Sequence, residues 1–112
     1  MLVCAKNSRL EKLFSSRSNL VREFGQKRGD TIMRRISELR AATCLADMKL
    51  LPGAAFHELQ ENRSGQFAVN AIYPYRLVLT PVDPIPRTAD GGIDLYAVQG
   101  VILIEVVNYH GT

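Results

Sequence analysis

The sequence predicts an α+β domain in which one strand is followed by two helices and then by a run of antiparallel strands. Apolar residues recur at helical spacing in the first half of the chain, and they alternate with polar residues after Pro52-Gly53. A chain of 112 residues can bury one hydrophobic core, so we assign residues 1–112 to a single domain. We expect the helices to cover one face of an antiparallel sheet and to leave the opposite face for function.

The first half predicts a short N-terminal strand and then a hairpin of two helices. Asn7 or Ser8 can cap the first helix, and Gly25 can end it. Ser15-Ser16 can interrupt this helix, and the second helix ends near Ala42. The apolar positions behind these predictions are Leu10, Leu13, Phe14, Leu20, Val21 and Phe24 in the first helix, and Ile32, Met33, Ile36 and Leu39 in the second.

The second half predicts three or four strands joined by turns. Pro74 marks a tight hairpin between two of them, and residues 81–92, with three prolines and two glycines, predict a long loop. The last strand is apolar on both faces, which predicts a central position covered on both sides. The predicted strands cover about residues 55–59, 67–71, 75–80 and 98–107. Counting three of these strands, the predicted order is β-α-α-β-β-β.

Composition is typical of a globular protein, with 46% hydrophobic and 22% charged residues. No apolar run approaches the roughly 20 residues of a membrane span, and the apolar start is too short for a signal peptide. We therefore expect a cytoplasmic protein with no membrane partner, in which Cys4 and Cys44 are reduced thiols. No zinc-protease, P-loop or dinucleotide motif is present, so we predict neither a metal nor a cofactor.

The net charge is only +3, but the basic residues are concentrated between Arg9 and Arg40. Such a basic half can attract an RNA backbone or an acidic protein, although a solvated helical face is the simpler interpretation. We take Arg34 and Arg35 in this run, and Arg63 in the polar turn after the first predicted strand of the second half, as candidate RNA-binding residues.

The chemically informative residues are the two histidines, His57 and His110, together with Arg76 and Tyr109. Metal-free RNA cleavage needs a base for the ribose 2′-OH, an acid for the leaving 5′-oxygen and a cation for the phosphoryl oxygens. An imidazole, with an ordinary pKa of about 6.5, can serve as base or acid near neutral pH. A guanidinium binds phosphate through a fork of N–H donors, and a tyrosine can stack on a base. Each histidine taken alone is more typical of a structural role.

Several segments resemble one family in the order in which they occur. The segment His57-Glu58-Leu59-x-x-Asn62-Arg63-x-Gly65-Gln66-Phe67 resembles the H-x-L-K-G-[DN]-R-x-G-x-aromatic pattern of HigB-like toxins, the plasmid maintenance system killer proteins of the RelE superfamily. Pro74-Tyr75-Arg76-Leu77-Val78 resembles their aromatic-Arg-[Ile/Leu] strand, and Val106-Val107-Asn108-Tyr109-His110 their terminal Val-[Asp/Glu]-Tyr-His. Two further segments, around residues 45–53 and 83–94, are also similar, so the likeness covers nearly the whole chain.

This resemblance implies a RelE/HigB-like fold and the toxin of a type II toxin–antitoxin system, a ribosome-dependent mRNA endoribonuclease that inhibits translation. The implied partners are a HigA-like helix-turn-helix antitoxin, the ribosome and mRNA, with operator DNA contacted only through the antitoxin. By position, the resemblance makes His57, Asn108, Tyr109 and His110 catalytic and Arg76 phosphate-binding.

The sequence departs from the family pattern at two places. Asn108 stands where an aspartate is frequent, and Gln60-Glu61 stands where Lys-Gly is usual. These changes keep a second hypothesis open, a non-catalytic homologue that acts as an antitoxin- or ribosome-binding module. A third hypothesis is a gyrase-poisoning relative of the same fold, which would not need His110.

Overall fold

The computed structural model of the protein describes residues 1–109. The described chain is an α+β domain, which confirms the predicted class. Its elements are β1 (Leu2–Ala5), α1 (Ser8–Phe14), α2 (Arg17–Phe24), α3 (Gln26–Ala41), β2 (His57–Glu58), β3 (Phe67–Asn70), β4 (Tyr75–Pro81) and β5 (Gly100–Asn108), with short 3-10 turns at Leu45–Leu50, Pro52–Ala54 and Glu61–Arg63. No helix among these residues is both long and apolar enough to span a membrane.

Side-chain caps divide the first predicted helix into two. The Asn7 side chain accepts a hydrogen bond from the backbone N–H of Leu10 at 2.9 Å and begins α1. The Ser16 hydroxyl accepts one from the N–H of Asn19 at 3.2 Å and begins α2, so the serine pair does interrupt the helix. Gly25, with φ +88°, separates α2 from α3 because this left-handed backbone suits glycine.

Two contacts show that α3 runs back along α2, as the predicted hairpin requires. Gly29 is buried against Val21, where an added Cβ would lie 2.9 Å from the Val21 backbone nitrogen. Arg17 Nε lies 2.6 Å from the Asp30 carboxylate. The hydrogen bond from Arg17 holds the pKa of Asp30 below its ordinary value of 3.8, and the same bond raises the pKa of Arg17. The close approach of the two helices therefore depends on a residue without a side chain.

The sheet has five strands in the order β1-β5-β4-β3-β2. β5, β4, β3 and β2 pair antiparallel, as predicted. β1, however, pairs parallel to β5, so the prediction of an antiparallel sheet was wrong and the sheet is mixed. A parallel neighbour requires a crossover connection, and α1, α2 and α3 lie in the chain between β1 and the other strands.

The two faces of the sheet have different environments. Leu77 and Leu79 of β4 and Leu103 of β5 are buried against the helices in the main core. The opposite face, which we call the open face, carries a smaller apolar cluster around Ala68 and Val78. β5 is an interior strand, but Ile104 on its open face is only partly buried, so the predicted cover on both sides was wrong. The open face is the face that we expected the helices to leave for function.

Candidate functional site

β2 places His57 at one edge of the open face. This strand has two residues, and His57 pairs in register with Ala68 of β3. Ala55, just before the strand, has a left-handed backbone with φ 48° and turns its carbonyl toward the histidine. The Nδ1 atom of His57 lies 2.9 Å from this carbonyl oxygen. Since a carbonyl can only accept, Nδ1 carries the proton in this contact.

Arg76 lies two strands away and completes a pair with His57. Its register partners are Asn70 on β3 and Val107 on β5, and its side chain lies on the open face because it alternates with Leu77 of the core. Arg76 Nη1 is 2.6 Å from His57 Nε2. A guanidinium only donates, so Nε2 is assigned as the acceptor in this contact and Nδ1 as the donor to Ala55.

Tyr109 lies on the other side of Arg76. The Arg76 Cζ is 5.3 Å from the centroid of the Tyr109 ring, within the range of a cation–π contact. The backbone N–H of Tyr109 donates to the Pro74 carbonyl at 3.1 Å, which fixes the chain after β5 against the turn before β4. Arg76 is therefore held between an imidazole and a phenol ring, and the structure brings together three of the five predicted catalytic residues.

Asn108, another predicted catalytic residue, has a register position on the other face of the sheet. Asn108 pairs in register with Tyr75, whose ring contacts Phe24 of α2 on the helical side. Cross-strand partners share a face, so the register position of Asn108 belongs to the face opposite Arg76. His110 lies outside the described residues, and its catalytic assignment stays a prediction.

Arg63 reaches the open face but is engaged by an acid. Its Nη2 lies 3.0 Å from the Glu105 carboxylate of β5, and its Nη1 donates to the Gln66 side chain at 2.9 Å. Both partners of the ion pair are partly exposed. Arg63 therefore lies on the open face, where Glu105 offsets its charge, and its assignment to RNA binding stays a prediction.

The two adjacent arginines of α3 have different surroundings. Arg34 is exposed, so its assignment to RNA binding stays a prediction. Arg35 is buried, with 6% of its surface accessible, and its guanidinium bonds the Asn70 and Gly53 carbonyls and the Glu38 carboxylate. A buried charge requires hydrogen-bond partners for its donors. The bond to the Asn70 carbonyl meets part of this requirement and holds α3 against the end of β3. The structure thus contradicts the assignment of Arg35 to RNA binding and gives it a structural role.

A small cleft adjoins the His57–Arg76 pair and contains residues that the sequence did not single out. It has a volume of about 50 Å³ and is also lined by Ala55, Asn70 and Tyr73. Tyr73 is 73% exposed and lines the cleft together with Arg76. The sequence did contain a sign that Tyr73 is exposed. Tyr73 precedes Pro74 in a predicted turn, and an aromatic side chain in a turn is seldom packed in the core. No sequence signal marks Ala55 or Glu105.

Over residues 1–109 no group of three or more histidine, cysteine, aspartate or glutamate side chains is arranged to hold a metal ion. Comparisons of the chain with models of known families, with curated proteins and with solved structures find no match. The geometry of His57, Arg76 and Tyr109 is consequently the basis on which a function can be argued.

Proposed function

We propose that the protein is the toxin of a type II toxin–antitoxin system and cleaves mRNA on the ribosome, as its resemblance to HigB-like toxins implies. The observation that carries this proposal is the 2.6 Å contact between His57 Nε2 and Arg76 Nη1 on the open face, with the Tyr109 ring beside it. A proton acceptor, a forked cation and an aromatic ring in contact are the side chains that metal-free cleavage of a phosphodiester uses.

The geometry suggests an order of events at His57. In the free protein the Nε2 lone pair accepts from Arg76. A phosphate group competes for the same guanidinium, because an anionic oxygen is a stronger acceptor than a neutral imidazole. When Arg76 turns to the phosphate, Nε2 becomes available to take the proton of the ribose 2′-OH.

The reaction then follows from the chemistry of RNA. The 2′-oxygen forms a bond to phosphorus, the bond from phosphorus to the 5′-oxygen breaks, and the 5′-oxygen takes a proton from an acid. We assign this second proton transfer to His110. The products are a 2′,3′-cyclic phosphate and a 5′-hydroxyl, and Arg76 balances the charge on the phosphoryl oxygens. The Tyr109 ring provides a surface on which a base can stack.

The ribosome and an antitoxin are the proposed partners. Glu105 offsets Arg63 at the edge of the site, so Arg63 adds little free positive charge to that of Arg76. A ribosome-bound message arrives already positioned, which lowers the affinity that the toxin itself must supply. A helix-turn-helix antitoxin of the HigA kind would neutralise the toxin and bind operator DNA.

The proposal is tested by expressing the chain in a translating extract and mapping message ends by primer extension. We expect cuts within reading frames, and we expect His57→Gln, His110→Gln and Arg76→Gln each to lower the cleavage rate by about 100-fold or more. Arg87→Gln, which changes an exposed arginine of the 82–99 loop, is the matched control and should cleave like the wild type. Unchanged cleavage by His57→Gln and Arg76→Gln would refute the assignment.

A second candidate function is a non-catalytic binding module that arrests translation by occupying the ribosome or serves only to bind its antitoxin. Two observations favour it: the His57 lone pair is engaged by Arg76, and Arg63 is engaged by Glu105. Growth arrest without any cut message, and without loss of arrest in His57→Gln, would select this function instead.

A further inference from the structure

The helical layer carries a basic groove that none of the candidate site residues enters. The groove lies between α1 and α2 and has a volume of about 510 Å³. Its cationic residues are Arg9 and Lys12 from α1 and Arg22 from α2, and all three are exposed. The helices pack on the face of the sheet that bears Leu77, so the sheet separates this groove from His57 and Arg76.

The cations of the groove form no ion pairs within the described residues. Within residues 1–109 the ion pairs shorter than 4.0 Å join Arg17 to Asp30, Arg35 to Glu38 and Arg63 to Glu105, and none includes a groove cation. The guanidinium of Arg22 donates to the Asn19 side chain at 3.1 Å, which leaves its positive charge without an anionic partner. Glu23 is the acidic residue of the lining, so three positive charges face one negative charge.

We propose that this groove binds the sugar–phosphate backbone of RNA and forms a second RNA contact, distinct from the cleavage site. The lining suits phosphate, since its polar groups are guanidinium and ammonium groups, the Asn19 amide and the Ser8 hydroxyl, and such groups make most backbone contacts. No aromatic ring lines the groove, so it offers no stacking platform for bases. Binding there is therefore independent of sequence.

The choice of RNA over other polyanions rests on the proposed function, whereas affinity for a phosphate backbone rests only on the groove. An enzyme that acts on a ribosome-bound message is surrounded by ribosomal RNA. A cationic groove on the face away from the cleavage site would hold such an enzyme to that RNA while the open face meets the message. Contact on two faces would also supply positive charge that Arg63, offset by Glu105, does not provide near the cleavage site.

The test measures binding of a fluorescent oligouridylate to the full chain over a range of KCl concentrations. The groove variant is Arg9→Gln, Lys12→Gln, Arg22→Gln, and the matched control is Lys27→Gln, Arg40→Gln, Lys49→Gln, which removes three exposed cations outside the groove lining. We expect the groove variant to lose at least about tenfold in affinity at 0.1 M salt. Its slope of log K against log salt should fall by about two, since each phosphate contact with a single strand contributes about 0.7.

Three results would overturn the inference: no oligouridylate binding by the wild type, equal losses in the groove and control variants, or equally tight binding of duplex DNA in the same groove. The His57→Gln variant separates this inference from the proposed function. Oligouridylate binding that depends on the groove and persists in His57→Gln supports the groove even if no message is cut. Message cleavage that survives in a groove variant with unchanged oligouridylate affinity supports the enzyme and removes the groove.

Discussion

Arg63 and Glu105, which lie 42 positions apart in the chain, form a 3.0 Å ion pair at the edge of the open face. The pair bears on the proposed binding of RNA, because Glu105 occupies the guanidinium of Arg63 and would repel a phosphate. We expect Glu105→Gln to bind oligouridylate more tightly, by about three- to tenfold, and to show a salt slope about 0.7 steeper. Fluorescence anisotropy over a salt series measures both quantities.

The control for this prediction is a double-mutant cycle. In Arg63→Gln, the same change at Glu105 should bring a smaller gain, because repulsion of phosphate by Glu105 remains but no guanidinium is released. Equal gains in the two backgrounds would show that Glu105 acts on the RNA without involving Arg63.

The contacts of His57 specify a particular form of its ring. Because Ala55 accepts at Nδ1 and Arg76 donates to Nε2, we expect the proton of the neutral imidazole to reside on Nδ1. Nitrogen-15 correlation spectra of the ring distinguish the two neutral tautomers directly. Arg76→Ala should shift the population toward a proton on Nε2, whereas Arg87→Ala should leave it unchanged. A proton on Nε2 in the wild type would contradict the observed pair.

Arg35 should contribute to stability and Arg34 should not. Replacing Arg35 with methionine removes three hydrogen-bonding contacts, and the Gly53 carbonyl keeps only the longer bond from the Asn70 side-chain amide at 3.4 Å. We expect the free energy of unfolding to fall by roughly 3 kcal/mol. Arg34→Met on the exposed face of the same helix is the matched control and should stay within about 0.5 kcal/mol of the wild type. Urea denaturation followed by circular dichroism measures both.

Gly29 should resist the substitution that normally strengthens a helix. An alanine methyl group would lie 2.9 Å from the Val21 backbone nitrogen, so α2 and α3 would have to separate. We expect Gly29→Ala to lower the free energy of unfolding by about 1–3 kcal/mol, although glycine-to-alanine changes inside helices usually raise it by about 1 kcal/mol. Ser37→Ala, at an exposed position of the same helix, should be neutral or slightly stabilising. A stabilised Gly29→Ala chain would refute the close packing of the hairpin.

The Arg17–Asp30 pair should make part of the stability depend on pH. Because the pKa of Asp30 is lowered in the folded protein, its contribution is present above the ordinary value of 3.8 and is lost as the pH falls through the folded pKa. We therefore expect Asp30→Asn to flatten the fall in the urea midpoint between about pH 5 and about pH 3. Asp83→Asn, at an exposed carboxylate outside the ion pairs of the described chain, should retain the wild-type slope.

The elements set by local chemistry were predictable from the sequence. Asn7, the Ser15-Ser16 break and Gly25 act through neighbours within four residues, and the structure confirms all three. The alternation after Pro52-Gly53 likewise located β3 and β4. The parallel pairing of β1 was not predictable in this way, because it joins residues about a hundred positions apart and leaves no local pattern.

The sequence singled out the residues of the candidate site, but it did not predict the contacts between them. His57, Arg76 and Tyr109 were identified by their chemistry, yet their mutual distances depend on strand order. The burial of Arg35 did have a signal that the charge pattern obscured. Arg35 follows Ile32 by three positions and precedes Leu39 by four, so it lies on the apolar stripe of α3. The position of Arg35 on the helix therefore indicated burial, and this indication should have been preferred to the RNA-binding role inferred from the neighbouring basic residues.

Because β2 has only two residues, the position of His57 in the candidate site depends on a short edge strand. Two register pairs, His57 with Ala68 and Glu58 with Phe67, and one further backbone bond from Leu59 to the Gln66 carbonyl at 2.8 Å join this edge strand to β3. Edges held so briefly open at a far smaller cost than the whole domain. If β2 separated from β3, the imidazole of His57 would move away from the guanidinium of Arg76 while the core stayed intact. The protein would then lose the candidate site without unfolding.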